Sequence, residues 1–179
     1  MKSPITLFLL ALWGAIPTLG QVTVPVSITL SAPSPTCSFS RDASLSFGTV
    51  EKPGTGSGSV GINAQTGSRS STLTVSGSSS VGQARLTGQN VATYTVSRTF
   101  PSTLSKGNDD LSYSGTWAQS TSSNSGYSSI SGTSYNGTSS GAGTSFTRYF
   151  RFGGTVSGID LSDSDGTYTG TITASASCN

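Results

Sequence analysis

The feature that most limits what this chain can become is an alternation of apolar and polar residues with a period of two. It recurs in short runs separated by turns. In Ala92-Thr-Tyr-Thr-Val-Ser97 the residues Ala92, Tyr94 and Val96 fall on one side. Ser59–Ile62, Ser71–Val75, Gln83–Thr87 and Leu111–Trp117 repeat the pattern, with Leu73 and Val75 sharing a face in the second run and Ala84 and Leu86 in the third. Neighbouring residues on a strand point to opposite faces, so each run predicts a strand with one apolar side. No segment holds a 3.6-residue period, and β-branched residues dominate the runs. Turn clusters at 51–58, 65–67, 77–80 and 89–90 punctuate them. Short strands at roughly ten-residue spacing predict an all-β sandwich or barrel.

The other stretches are read the same way. Cys37–Val50 sets Phe39, Leu45 and Phe47 among serines and predicts one strand or two short ones. Gly48 within it marks a bulge or a close backbone approach. Pro101–Asp110 is polar and reads as a loop. Residues 120–144 dissolve into Ser, Thr, Gly and Asn around Tyr127, Ile130 and Tyr135, which predicts a long loop at about 118–145. Asn136-Gly-Thr138 matches a glycosylation sequon. Ser145–Phe152 predicts a strand that breaks at Gly153-Gly154 and resumes at Thr155. The last strand, Gly166–Cys178, carries Tyr168, Gly170, Ile172, Ala174, Ala176 and Cys178 on one face. Its small residues leave room for something bulky.

The N-terminus has its own organisation. Lys2 precedes a short apolar run, residues 7–13, and Thr18-Leu19-Gly20 offers a cleavage point, so residues 1–20 read as a secretory signal peptide. No later run is long enough to span a bilayer as a helix. In Gln21–Leu30 the residues Val22, Val24, Val26, Ile28 and Leu30 take every second position, while Pro25 lies among the polar ones. This is a strand with a greasy face, and Pro33 and Pro35 set it apart from the rest of the chain. Such a strand pairs with its own domain or is lent to a neighbour. The expected layout is signal peptide 1–20, strand and proline linker 21–36, and one β domain at 37–179.

Composition excludes several functions. Charged residues are 9% of the chain, against about 25% in ordinary globular proteins, and no basic stripe is present, which argues against nucleic acid as a partner. Histidine is absent, so a Ser-His-Asp or Cys-His arrangement cannot be built. No motif supports a catalytic residue, and the chain is not expected to be an enzyme. Asp160, Asp163 and Asp165 are close in sequence, but their spacing is not that of an EF-hand. They read as a solvated turn, and neither metal nor cofactor is expected. The two cysteines, Cys37 and Cys178, predict a disulfide in an exported protein.

Several stretches carry a resemblance. Cys37-Ser-Phe-Ser40 followed by Leu45-Ser-Phe-Gly48 resembles the start of spore-coat-protein-U-like domains, the pilins of archaic chaperone–usher systems. Gly166–Thr173 resembles their closing strand, and the strand before Cys37 resembles their donor strand. The order Leu45–Val50, Ala64–Arg69, Gly153–Thr155 and Gly166–Gly170 is closer still to a related family of uncharacterised secreted bacterial pilin-like domains. The resemblance implies an incomplete immunoglobulin-like β-sandwich that lacks a strand. It also implies a fimbrial subunit, acting in adhesion or biofilm formation, assembled by donor-strand complementation. Its partners would be copies of itself or related pilin subunits, a periplasmic chaperone and an outer-membrane usher. It would reach the cell surface through the periplasm of a Gram-negative-type bacterium. Val22, Val24, Val26, Ile28 and Leu30 would then be the donor-strand plug. Five aliphatic side chains correspond to roughly 7–15 kcal/mol of gross transfer energy. The second reading is a self-contained secreted β-sandwich, a surface or matrix protein. In a third, Trp117, Tyr127 and Tyr135 form a glycan-binding surface.

Overall fold

The computed structural model describes residues 27–31, 33–139 and 143–179. The expected signal peptide and Val22, Val24 and Val26 lie outside the described residues. The chain divides into two compact units, residues 1–31 and 32–179, and every strand among the described residues lies in the second.

The described residues contain no α-helix. They form strands β1 (Thr36–Ala43), β2 (Thr49–Val50), β3 (Gly58–Ile62), β4 (Arg69–Ser71), β5 (Val75–Ser76), β6 (Gly82–Gln89) and β7 (Thr93–Thr99). The series continues with β8 (Thr103–Lys106), β9 (Asp109–Ser120), β10 (Ser128–Ser129), β11 (Ser134–Thr138), β12 (Ser145–Ile159) and β13 (Thr173–Cys178). The larger sheet runs β1-β6-β12-β3-β4, with β9 on the other edge of β12 and β8 and β10 paired to β9. A smaller sheet, β11-β7-β13, faces it, and β2 and β5 form a short ribbon. The result is the all-β sandwich that the alternation predicts, with every strand pair antiparallel.

The core sits between the sheets. Ala84 and Leu86 of β6, Trp117 of β9, and Phe150 and Phe152 of β12 meet Tyr94 and Val96 of β7, all buried. Trp117 stacks on Phe150 with ring centroids 6.1 Å apart. The faces assigned to Ala84, Leu86, Tyr94 and Val96 are as the pattern requires, whereas Ala92 is exposed and precedes β7. A second buried group, Val60, Leu111, Tyr113, Val156 and Ile159, lies further along β3, β9 and β12.

Several sequence expectations differ from the structure. The last strand is shorter than Gly166–Cys178, since only Thr173–Cys178 pairs with β7 and Thr169 makes a single bridge to Ser105. Gly153-Gly154 does not break the strand, because β12 runs unbroken through both. Here its pairing passes from β6, whose first residue Gly82 is opposite Phe152, to β3, whose last residue Ile62 is opposite Gly154. A Cβ on Gly153 would meet the Ile62 carbonyl oxygen, and one on Gly154 the Ser114 carbonyl oxygen. The glycines therefore let three backbones converge. Pro101–Asp110 is not a loop but contains β8, which turns into β9 through Gly107-Asn108, with Gly107 at φ +62°. The 118–145 stretch holds β10 and β11, and β11 pairs residue by residue with β7 from Ser134↔Ser97 to Thr138↔Thr93. Gly137 allows this, since a side chain there would strike the Tyr94 ring. Ser71–Val75 is split between β4 and β5, where Thr72 Oγ1 accepts from the Ser59 amide at 2.9 Å. Leu73 and Val75 still pack against the second apolar group.

Cys37 and Cys178 form the expected disulfide, 141 positions apart with Cα atoms separated by 6.3 Å. Two outcomes are expected. Gly153→Val destabilises by about 2–3 kcal/mol in urea unfolding, because the β-branched side chain overpacks the point of convergence. The double variant Cys37→Ser/Cys178→Ser loses roughly 2–5 kcal/mol in the same measurement.

Candidate functional site: an apolar cleft between the sheet edges

β1 closes one edge of the larger sheet, and β13 closes one edge of the smaller one. The disulfide joins them. From that corner the two chain segments continue as the lips of a cleft of about 1090 Å³, residues 39–52 on one side and 163–174 on the other. Val60, Leu111, Tyr113, Phe152, Val156 and Ile159 line its floor.

Both lips carry apolar residues, and none of those on the lips is fully covered. Leu45, Phe47 and Val50 on one lip are half-buried, as are Tyr168, Ile172 and Ala174 on the other. A complete sandwich would bury these side chains under a neighbouring strand. No other strand among the described residues covers them. The final strand shows this most plainly: Ala174, Ala176 and Cys178 alternate with exposed residues yet stay half-buried. β1 pairs only with β6 and β13 only with β7 among the described residues. Along its other edge each has no ladder to another described strand.

Both lips are held from behind. Ser46 and Ser80 exchange backbone hydrogen bonds of 2.8 and 2.9 Å. Arg69 Nη1 donates to the carbonyl oxygens of Phe47 at 3.1 Å, Gly77 at 3.2 Å and Ser76 at 3.4 Å. Gly48, at φ +84°, makes the close backbone approach expected of it, since a Cβ there would sit 2.6 Å from the Ser76 carbonyl oxygen. On the opposite lip, Thr169 and Ser105 exchange backbone hydrogen bonds of 3.0 and 2.8 Å. Tyr113, on the floor, donates its hydroxyl to the Gly153 carbonyl at 2.8 Å. Burial pushes its pKa up to about 12.

The cleft's two ends are closed differently. At one end is the disulfide. At the other, Lys52 Nζ lies 2.8 Å from Asp165 Oδ1 and donates to the Asp163 carbonyl oxygen at 2.9 Å. The hydrogen-bonded ion pair raises the Lys52 pKa and lowers that of Asp165.

Of the aspartates singled out in the sequence, Asp165 takes part in this ion pair, and Asp160 and Asp163 are engaged in their own turn. Asp163 Oδ2 accepts from the Asp160 amide at 2.8 Å, and Asp160 Oδ1 accepts from the Ser162 amide and hydroxyl at 2.8 and 2.6 Å. These bonds from Ser162 hold the Asp160 carboxyl below its ordinary range. No group of metal-ligating side chains occurs among the described residues. Trp117 is 2% exposed and Tyr127 7%, and the Tyr135 ring packs on Phe150 at 6.0 Å. These aromatics form core contacts rather than an open platform. Asn136 is exposed in β11, where its Oδ1 accepts from Thr95 Oγ1 at 2.9 Å. Of the five donor-strand residues, only Ile28 and Leu30 fall among the described ones. They are 82% and 85% exposed and belong to no strand. Lys52 and Arg69 had no signal in the sequence: each acts on residues brought near only by the fold.

A family model described as "Domain of unknown function (DUF4402)" matches residues 37–177. The chain belongs to that family. The matched span takes in both lips and the floor of the cleft and leaves out the 21–36 segment. No curated protein matches the chain, and no solved structure does.

Tyr113→Phe is expected to lower stability by about 1 kcal/mol, the net worth of one buried hydrogen bond. Urea unfolding reads this directly, with the m-value unchanged.

Proposed function

We propose that the protein is a secreted structural subunit of an extracellular fibre, in which each subunit's cleft is filled by the 21–31 strand of another copy or of a related subunit. The observation that carries this reading is the cleft with an apolar floor whose lips continue from β1 and β13, each of which has one ladder partner among the described residues. An added strand gains backbone hydrogen bonds along those edges, and its alternate side chains cover the half-buried residues of the lips. Left open, such a site is an aggregation hazard.

The Gln21–Leu30 segment has the matching chemistry. It is uncharged, it alternates, and it offers five aliphatic side chains to one face. The start of the domain favours lending over self-insertion. Thr36 pairs with Gln89, and Asn90 Nδ2 donates to the Ser34 carbonyl at 3.5 Å. Residues 34–36 thus lie at the end of β6 and outside the residues that line the cleft. To fill its own cleft the chain would have to reverse within residues 31–35, where Pro33 and Pro35 fix φ. An extended, proline-stiffened linker suits a strand that reaches a neighbour.

A cleft of this kind needs covering between export and assembly. The pilin group that the sequence resembles uses a periplasmic chaperone and an outer-membrane usher for this step, and we assign the same class of partners here. The fibre then serves adhesion or biofilm formation at the surface of a Gram-negative-type cell.

The test is an SDS gel of surface-shed protein, unheated and heated, with and without reductant. A ladder that collapses on heating regardless of reductant is expected. Deleting residues 21–31, or substituting Ile28→Asp, abolishes it. A single monomer band in every lane would overturn the proposal in favour of a self-contained sandwich.

A further inference from the structure

We infer that Lys52 gates the cleft: its bridge to the 163–165 turn must open before a strand can seat, so the incoming strand enters from the Lys52 end and closes toward the disulfide. This rests on the strand-acceptor reading of the cleft. The bridge joins one lip to the other, with Lys52 on the first and Asp163 and Asp165 on the second. The opposite corner is held by a covalent bond and cannot part. Separation of the lips therefore begins at the ion-pair end.

The strengths of the two closures differ in the sense a gate requires. Asp165 is 90% exposed and Lys52 29% by side chain. Exposed pairs of this kind change an equilibrium by no more than about fivefold. The bridge is thus strong enough to bias the lips together and weak enough to open thermally. The turn that carries Asp165 is itself braced, because Asp109 accepts from the Ser164 amide at 3.2 Å and the Tyr168 hydroxyl donates to the Ser164 carbonyl at 3.0 Å. Breaking the Lys52 contacts frees the lip without unfolding the turn.

The test uses the signal-cleaved protein and a fluorescent peptide of sequence Gln21–Ser31 with blocked termini. The peptide has no charged side chain, so salt acts on the gate rather than on diffusional steering. Lys52→Glu places like charges across the cleft end and is expected to speed peptide association roughly three- to tenfold. Raising ionic strength brings the wild-type rate toward that of the variant, and Lys52→Glu/Asp165→Lys returns it to near the original. Thermal melts confirm that each variant is folded. Peptide that binds wild type and Lys52→Glu at the same rate overturns the gate and leaves the strand-acceptor reading standing. Peptide that binds neither protein overturns the strand-acceptor reading and the gate together.

Discussion

The Cys37–Cys178 disulfide joins the edge strand of one sheet to the edge strand of the other, and the shape of the open side depends on it. Near the bond the layers are close. Phe39 meets Phe150 with ring centroids 6.1 Å apart, and Tyr94 stacks on Phe146 at 4.9 Å. Away from it the same two chain segments diverge, and the apolar residues on their inner faces lose cover. A bond that closes a loop of this length removes roughly 5 kcal/mol of denatured-state freedom in the loop-entropy model. That matters in a chain whose edge strands each have one hydrogen-bonded neighbour. Without the tie, β1 and β13 would be held only along β6 and β7.

The sequence made legible what side-chain burial dictates. β6, β7 and most of β9 alternate because one face of each packs into the core, whereas at the end of β9 Ala118 and Ser120 are buried on the opposite face from Trp117. The half-empty face of the last strand was also visible, in the run of small residues from Gly170 to Ala176. The polar strands were not. β8 and β11 are held mainly by backbone ladders to β9 and β7, and a ladder leaves little trace in side-chain pattern. The opposite error at Gly153-Gly154 has the same root. Glycine was read as an interruption, but in β12 it marks the crowding of three strands. Contacts between distant residues, Lys52 with Asp165 and Arg69 with Phe47, had no sequence signal at all.

Low charge takes on a structural meaning once the fold is known. A sandwich with few ionic groups must be organised by backbone hydrogen bonds and by Ser and Thr on its outer faces. The charges that remain are placed with some economy. Arg98 lies over the Phe100 ring at 4.1 Å and donates to the Gly132 carbonyl at 2.9 Å, and its burial lowers its pKa. Arg151 stacks on Tyr127 at 4.0 Å and covers the outer face of the larger sheet. These cations fasten chain segments to aromatic surfaces rather than forming a field.

An apolar cleft should close on itself, since collapse would remove its walls from water. What opposes collapse here is polar. Arg69 grips three carbonyl oxygens behind one lip, and the Ser46–Ser80 pair fixes the same segment to the ribbon side. Thr169 and Ser105 tether the other lip to the hairpin of β8 and β9. To meet, the lips would have to surrender these bonds and leave backbone groups unpaired, at about 1–3 kcal/mol for each one buried. The cleft is therefore held open by the same hydrogen bonds that shape it. On the proposed reading, a strand that enters past the Lys52 bridge would find lips already shaped by these bonds and be spared most of the cost of ordering them. In this chain, polar backbone contacts preserve the apolar surface that a partner strand would cover.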